Sequence, residues 1–313
     1  MSRNRPVLAS FVSLAALVLL WVSGPAFGAD TLALRHAYKA GEKYVASVAQ
    51  KMTITQTPPG RDPVVVKRDM GMEMRMDVLS TTPDGTADVK VTYERLTLRM
   101  EAPNETVVYD SADPATKDLK HPALAGFGSL LGQSLTMTIT PRGEVKAVRG
   151  MDGIIEATLR DIPEGEQREA ARAQIKRVMN EEHFSRQMSG LSMAFPEEAV
   201  GVGDGWDREQ KVDLGFINLV SKTHYKVETI AADTVELSVE GTVSSDAPDP
   251  AAAMKVVVEE GSRQQGKIKL NRANPVLSTI EISQKMKMTI SAGGRSAEQT
   301  VDGTATVTVK RAD

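Results

Sequence analysis

Val64-Val65-Val66-Lys67-Arg68-Asp69-Met70-Gly71-Met72-Glu73-Met74-Arg75-Met76-Asp77-Val78 decides the fold. Val64, Val66, Met70, Met72, Met74, Met76 and Val78 all fall on even numbers, with Lys67, Asp69, Glu73, Arg75 and Asp77 between them. A helix would scatter the methionines around its circumference, whereas a strand sets them in one row. The stretch therefore reads as a long strand with one apolar and one charged face.

The same period spreads outward. Tyr44, Ala46, Val48, Met52 and Ile54 share a face before the turn at Pro58-Pro59-Gly60. Downstream, Pro83-Asp84-Gly85 turns the chain into Ala87, Val89, Val91 and Tyr93. The apolar set then moves to Leu96, Leu98 and Met100, a change of parity that places a β-bulge near Glu94. Short strands follow at Val107-Val108-Tyr109 and at Leu135, Met137 and Ile139, the latter turned by Pro141-Arg142-Gly143. Near the end, Val276, Ser278, Ile280, Ile282, Met286, Met288 and Ile290 repeat the even row, and Gly293-Gly294 leads to a last strand.

Helical spacing is confined to the middle. Met151, Ile154, Ile155 and Leu159 keep the i, i+3, i+4 pattern until Pro163, and a Glu-, Arg- and Ala-rich helix follows from Glu164. Its narrow stripe of Ala171, Ile175, Val178 and Met179 predicts packing on a sheet. A further short helix is expected around Phe184, Met188 and Leu191. The fold class is thus mainly β: long curved antiparallel strands, half-barrel-like, with a small helical insert around 150–190. The segment from Asp77-Val78 to Val91 echoes that from Lys226-Val227 to Val239, so two pseudo-repeats are possible. The division expected is 29–150, an insert at 151–193, and 194–313, together one composite domain.

Residues 1–28 read as a signal peptide: Arg3 and Arg5, an apolar run from Val7 to Val22, then Ala26-Phe27-Gly28 before a cleavage site. The run is shorter than a membrane-spanning helix needs, and no second one follows. Export to a periplasmic or extracellular location as a soluble chain is expected. Cysteine is absent, which excludes a lipid anchor at the cleavage site and any disulfide. Removal of Arg3 and Arg5 moves the formal charge from −3 to −5, unsuited to nucleic acid.

No constellation for catalysis stands out. Gly126-Phe127-Gly128-Ser129-Leu130 lacks the second glycine of a nucleophile elbow, and Glu182-His183 has no partner histidine at zinc-site spacing. No enzyme, cofactor or metal is expected. Thioethers suit copper(I), but alternate residues of a strand stand about 7 Å apart, and His36, His121, His183 and His224 are scattered. The candidate ligand-binding residues are Met72, Met74, Met76, Met286 and Met288, whose flexible side chains suit a lipid or acyl chain. The alternative is a structural or interaction protein with a closed core, whose surface meets another envelope protein.

Between helices and later strands lies Ala194-Phe195-Pro196-Glu197-Glu198-Ala199-Val200-Gly201-Val202-Gly203-Asp204-Gly205-Trp206. Phe195, Pro196, Gly203, Asp204 and Trp206 read as a structural hinge anchored by the indole. The pattern Phe-Pro-x-x-x-Val-x-Val-Gly-Asp-x-Trp resembles a family of exported bacterial β-rich proteins of unknown function. That resemblance implies a location and a mostly β fold, and no activity. The architecture also looks like half-barrel envelope proteins that carry or sense lipids.

Overall fold

The computed structural model describes residues 31–124, 127–160, 162–178, 181, 184, 185, 193–213, 217–246 and 254–312. The signal peptide, Met188 and Leu191 lie outside the described residues. Among the described residues thirteen strands form one antiparallel sheet that does not close. In chain order they are β1 (Lys43–Thr57), β2 (Val64–Thr81), β3 (Ala87–Ala102), β4 (Glu105–Asp110), β5 (Ser134–Ile139) and β6 (Val145–Arg149). After helices α1 (Met151–Thr158) and α2 (Glu166–Val178) come β7 (Gly205–Asp213), β8 (Asn218–Ile230), β9 (Thr234–Ser245) and β10 (Met254–Val258). The chain ends with β11 (Arg263–Asn271), β12 (Ser278–Ala292) and β13 (Arg295–Arg311).

The spatial order is β6-β5-β3-β2-β1-β13-β12-β11-β9-β8-β7, with β4 on β3 and β10 on β12. It contains one five-strand unit twice. β1-β2-β3-β5-β6 and β7-β8-β9-β11-β12 run in the same order, and β13 joins the last strand of the second to the first strand of the first.

Backbone detail supports the duplication. Gly41 (φ 85°) donates to the Val78 carbonyl at 2.9 Å, and the Val78 N–H returns a bond to Glu42 at 2.9 Å. Gly203 (φ 91°) donates to Val227 at 2.8 Å, and Val227 donates to Asp204 at 2.8 Å. The Glu42 carboxylate accepts from the Lys39 N–H at 3.2 Å, as that of Asp204 does from Gly201 at 2.8 Å. Two residues after each acid an aromatic ring enters the sheet: Tyr44 opposite Met76, and Trp206 opposite Tyr225. Each following hairpin skips one residue at the matching place, Leu79 after Val78 and Glu228 after Val227.

The parity change at Glu94 is a bulge, since Arg95 pairs with Glu73 and Tyr93 with Met74. Two strands carry no strong pattern in the sequence and are additions to it: β7, which is highly charged, and β10, which is five residues long. Helix α1 starts from Gly150 at φ 96°. Helix α2 differs from expectation. It lies on α1 rather than on the sheet, held by Arg168 and Arg172 on Glu156 and by Lys176 on Asp152 at 2.8 Å.

Each unit has its own core. Tyr44, Val78, Val89, Leu135 and Val148 pack with Met151 and Ile154 of α1 in the first, with Phe184 against them. Val227, Val235, Leu237, Ile268 and Leu270 pack with Leu34 and Phe195 in the second.

Candidate functional site

Between these cores stand four strands of 15 to 18 residues, in the order β2-β1-β13-β12. Their register assigns every side chain to one of two faces, because directly paired residues point the same way. One face carries Lys51, Lys67, Glu73, Lys285, Asp302 and a run of threonines, Thr304, Thr306 and Thr308. The other carries Met70 and Met72 of β2, Val48 of β1, Val307 of β13, and Ile280 and Ile282 of β12. No aspartate or glutamate stands on this second face in any of the four strands.

Successive rungs divide that face. The rung through Met72 reads Leu96, Met72, Val48, Val307, Ile280, Ile268, Leu237, Val227 across eight strands. Its ends are buried in core, but Met72, Val48, Val307 and Ile280 in the middle remain only half-buried. Two rungs further along comes a polar line: Met100, Arg68, Met52, Gly303, Gln284, Gln264, Gly241, Thr223, Arg208. Beyond it Val66, Ile54, Val301 and Met286 make an apolar rung, and the next sets Val64 and Met288 beside Gln56 and Gln299, before Ile290. The face thus has two apolar lobes and a polar waist.

The five candidate methionines share this face but not one place on it. Met74 and Met76 pack against the first core, and Met72 against a small cluster of Leu96, Leu98, Tyr109 and Leu124. Met288 packs against Ile217, Val256 and Val258. Met286 is six residues beyond Ile280, which shares the rung of Met72, and three strand spacings separate β2 from β12. The two groups are therefore roughly 25 Å apart along the sheet. Met72, Met74 and Met76 line one lobe; Met286 and Met288 line the other.

Polar groups fix the waist on its β8 side. Gln264 donates from Nε2 to Ser221 Oγ at 3.0 Å and to Thr223 Oγ1 at 2.7 Å, reaching across Gly241. A Cβ at Gly241 would lie 3.1 Å from that same Nε2 and 2.6 Å from the Lys222 carbonyl oxygen, so no larger residue fits. At the β2 side stands Arg68, half-buried between methionines. Its signal in the sequence is an even-numbered cation inside the methionine row, which a purely apolar pattern passes over.

The signature segment is bonded to both halves. Phe195, fully buried, donates to the Arg142 carbonyl at 2.8 Å, and Arg142 Nε donates back to its oxygen at 2.8 Å. Arg35 donates to the carbonyl of Pro196 at 2.7 Å. Gly203 and Asp204 form the turn described above, and Trp206 stacks on Tyr225 with ring centroids 5.2 Å apart. Of the three glycines here, Gly203 takes a positive φ, while Gly205 is crowded by the Tyr225 carbonyl, 2.7 Å from where a Cβ would stand. His36 lies against Phe195 and Tyr38 with its Nδ1 buried and unpartnered among the described residues, and burial pulls its pKa down to about 4.

Three shallow grooves of about 640, 610 and 590 Å³ cross the sheet. Their linings include Glu209 with Lys222, Lys51 with Asp302, and Lys267 with Glu281; none includes any of the five methionines. Among the described residues no three His, Asp or Glu side chains gather as a metal site would need, and no helix is long and apolar enough to cross a membrane.

Residues 84–277 match the profile of a family of unknown function, DUF6263. The chain belongs to that family. The DUF6263 match runs from the β2–β3 turn to the start of β12, so it takes in the signature segment and leaves β1 and β13 outside. No curated protein matches in sequence. Among solved structures, one of lipovitellin, titled for lipid–protein interactions, aligns at 11% identity and TM-score 0.44, covering 88% of this chain and 26% of that one. An outer membrane channel from Pseudomonas putida F1 aligns at 7% identity and TM-score 0.24, covering 88% and 98%. OccK7 (OpdD) of Pseudomonas aeruginosa aligns at 6% and 0.21, covering 87% and 100%. TM-scores this low carry no argument for a common fold or function.

Proposed function

We propose that this chain is an exported, non-enzymatic protein of the cell envelope that holds an apolar ligand, a lipid or acyl chain, on the inner face of β2-β1-β13-β12. One observation carries the reading: that face bears two largely apolar lobes on either side of a polar waist, with no acid in the four strands, and its central side chains are left half-open by the protein's own cores. An antiparallel sheet commonly covers one face and wets the other. Contiguous apolar surface of more than a few hundred Å² on a soluble chain marks a binding site. Each methylene that such a face removes from water contributes about 0.8 kcal/mol. Methionines add adaptability to ligands of differing shape. Export rests on the signal-like first 28 residues.

A second reading keeps the location and replaces the ligand by a partner protein. It is favoured by Val64 and Val65 at the start of β2 and Met254 and Val257 on β10, all exposed large apolar side chains. Native mass spectrometry of the protein purified from its own compartment separates the two. The ligand reading expects adduct masses in the range of acyl lipids, lost on delipidation and restored from a lipid panel. A bare polypeptide mass together with no uptake from that panel would abandon it for the partner.

A further inference from the structure

We propose that Arg68 anchors the carboxylate of a single-chain acyl ligand whose hydrocarbon lies along the apolar face; this rests on the ligand reading above. Arg68 shares the face of Met70 and Met72 through strand alternation, and the register sets Met52 beside it on β1 and Met100 on β3. Along its own strand the same-face neighbours are Val66 and Met70. It has no hydrogen bond, ion pair or ring contact among the described residues. The two other arginines on this face of the four strands lie at its ends: Arg311 bonds to Glu42 at 2.9 Å, and Arg295 sits at the β12–β13 turn. Arg68 is thus a half-buried cation among thioethers and aliphatics, with no acid on its face in the four strands; Glu105 of β4, on the same side of the sheet, is taken by His121 at 2.8 Å. Its charge is left without a counter-ion.

Charge complementarity names the missing group. The guanidinium is a planar fork that matches a carboxylate through two parallel N–H···O bonds. Its place at the waist, with apolar lobes on either side, lets a hydrocarbon tail run along the strands over one lobe while the head stays at the polar line. Gly303 keeps that line low: a Cβ there would meet the Lys51 carbonyl oxygen and Met52 at 3.4 Å and Gln284 at 3.6 Å, ordinary contacts that the missing side chain leaves open. One cation with no second basic residue beside it suits a singly charged head, so a fatty acid is preferred to a lipid phosphate.

The test uses the delipidated mature chain and displacement of a fluorescent acyl probe by oleate and by its uncharged methyl ester. Wild type is expected to bind oleate about tenfold more tightly than the ester. Arg68→Gln should bring the two affinities together while leaving that for the ester unchanged, Arg68→Lys should keep part of the preference, and Arg295→Gln should keep all of it. Unchanged thermal unfolding of Arg68→Gln is expected, since no partner is lost. If both ligands bind but the preference is absent or survives Arg68→Gln, the anchor falls and the apolar face stands. If neither binds, both fall. A single-chain lipid phosphate that outcompetes oleate would overturn the carboxylate assignment.

Discussion

His36 shows how the sequence end of the fold is locked at the scale of one side chain. Its ring sits 5.0 Å from that of Phe195 and 5.7 Å from that of Tyr38, and its backbone N–H donates to the Pro141 carbonyl at 2.6 Å. Burial holds its pKa at about 4, below the 6.5 of a free imidazole. The unfolded chain therefore takes up a proton first as pH falls, and protonation favours unfolding. Stability from this site is complete above pH 6.5, declines between 6.5 and 4, and then levels off, with a loss of roughly 3 kcal/mol. Urea denaturation of His36→Phe across that window should show a markedly shallower decline than wild type. Equal slopes would mean that His36 is charged or hydrated in the folded protein.

At the scale of the element, the two turns built on Gly41 and Gly203 are equivalent in hydrogen bonding and backbone conformation, although they share few residues. An alanine at either must adopt a positive φ, at a cost of about 1–2 kcal/mol. Open space surrounds both positions, so strain is the whole effect expected. Gly41→Ala and Gly203→Ala should lower stability by similar amounts in chemical denaturation; a large effect at one alone would break the equivalence. Much at this scale was legible. The methionine row of β2, the turn at Pro83-Asp84-Gly85 and the bulge at Glu94 all follow from parity and turn chemistry, which are local. β7 was not, because Trp206 and Val212 are its only large apolar residues and an edge strand needs no apolar alternation. Of the candidate site, the face was legible and the place on it was not. Met72 and Met286 look alike in sequence, and register alone shows them to lie in different lobes.

The whole molecule depends on β13, the last strand, lying between β1 and β12. A contact between Tyr44 and Arg311 at one end, and between Thr57 and Glu298 at the other, cannot be foreseen from any local pattern. It means that the first half is completed by residues from the second. The signature segment adds further ties across the halves, through Phe195 to Arg142 and through the Leu32–Val200 bridge. The covalent link through the helical insert is then redundant for cohesion. A protease site introduced between α1 and α2, near Pro163 to Gly165, tests this. The cleaved chain should run as one 1:1 species in size exclusion and native mass spectrometry, and the fragments should part only in denaturant. Cohesion of this kind is expected because β13 buries Val301 against Ile54 and continues the hydrogen-bond ladder on both of its sides, whereas α2 touches the rest mainly through exposed ion pairs worth little each. Separation of the fragments under native conditions would instead place the cohesion of the sheet in the insert, and the apolar face would then be a seam between two independently folding halves.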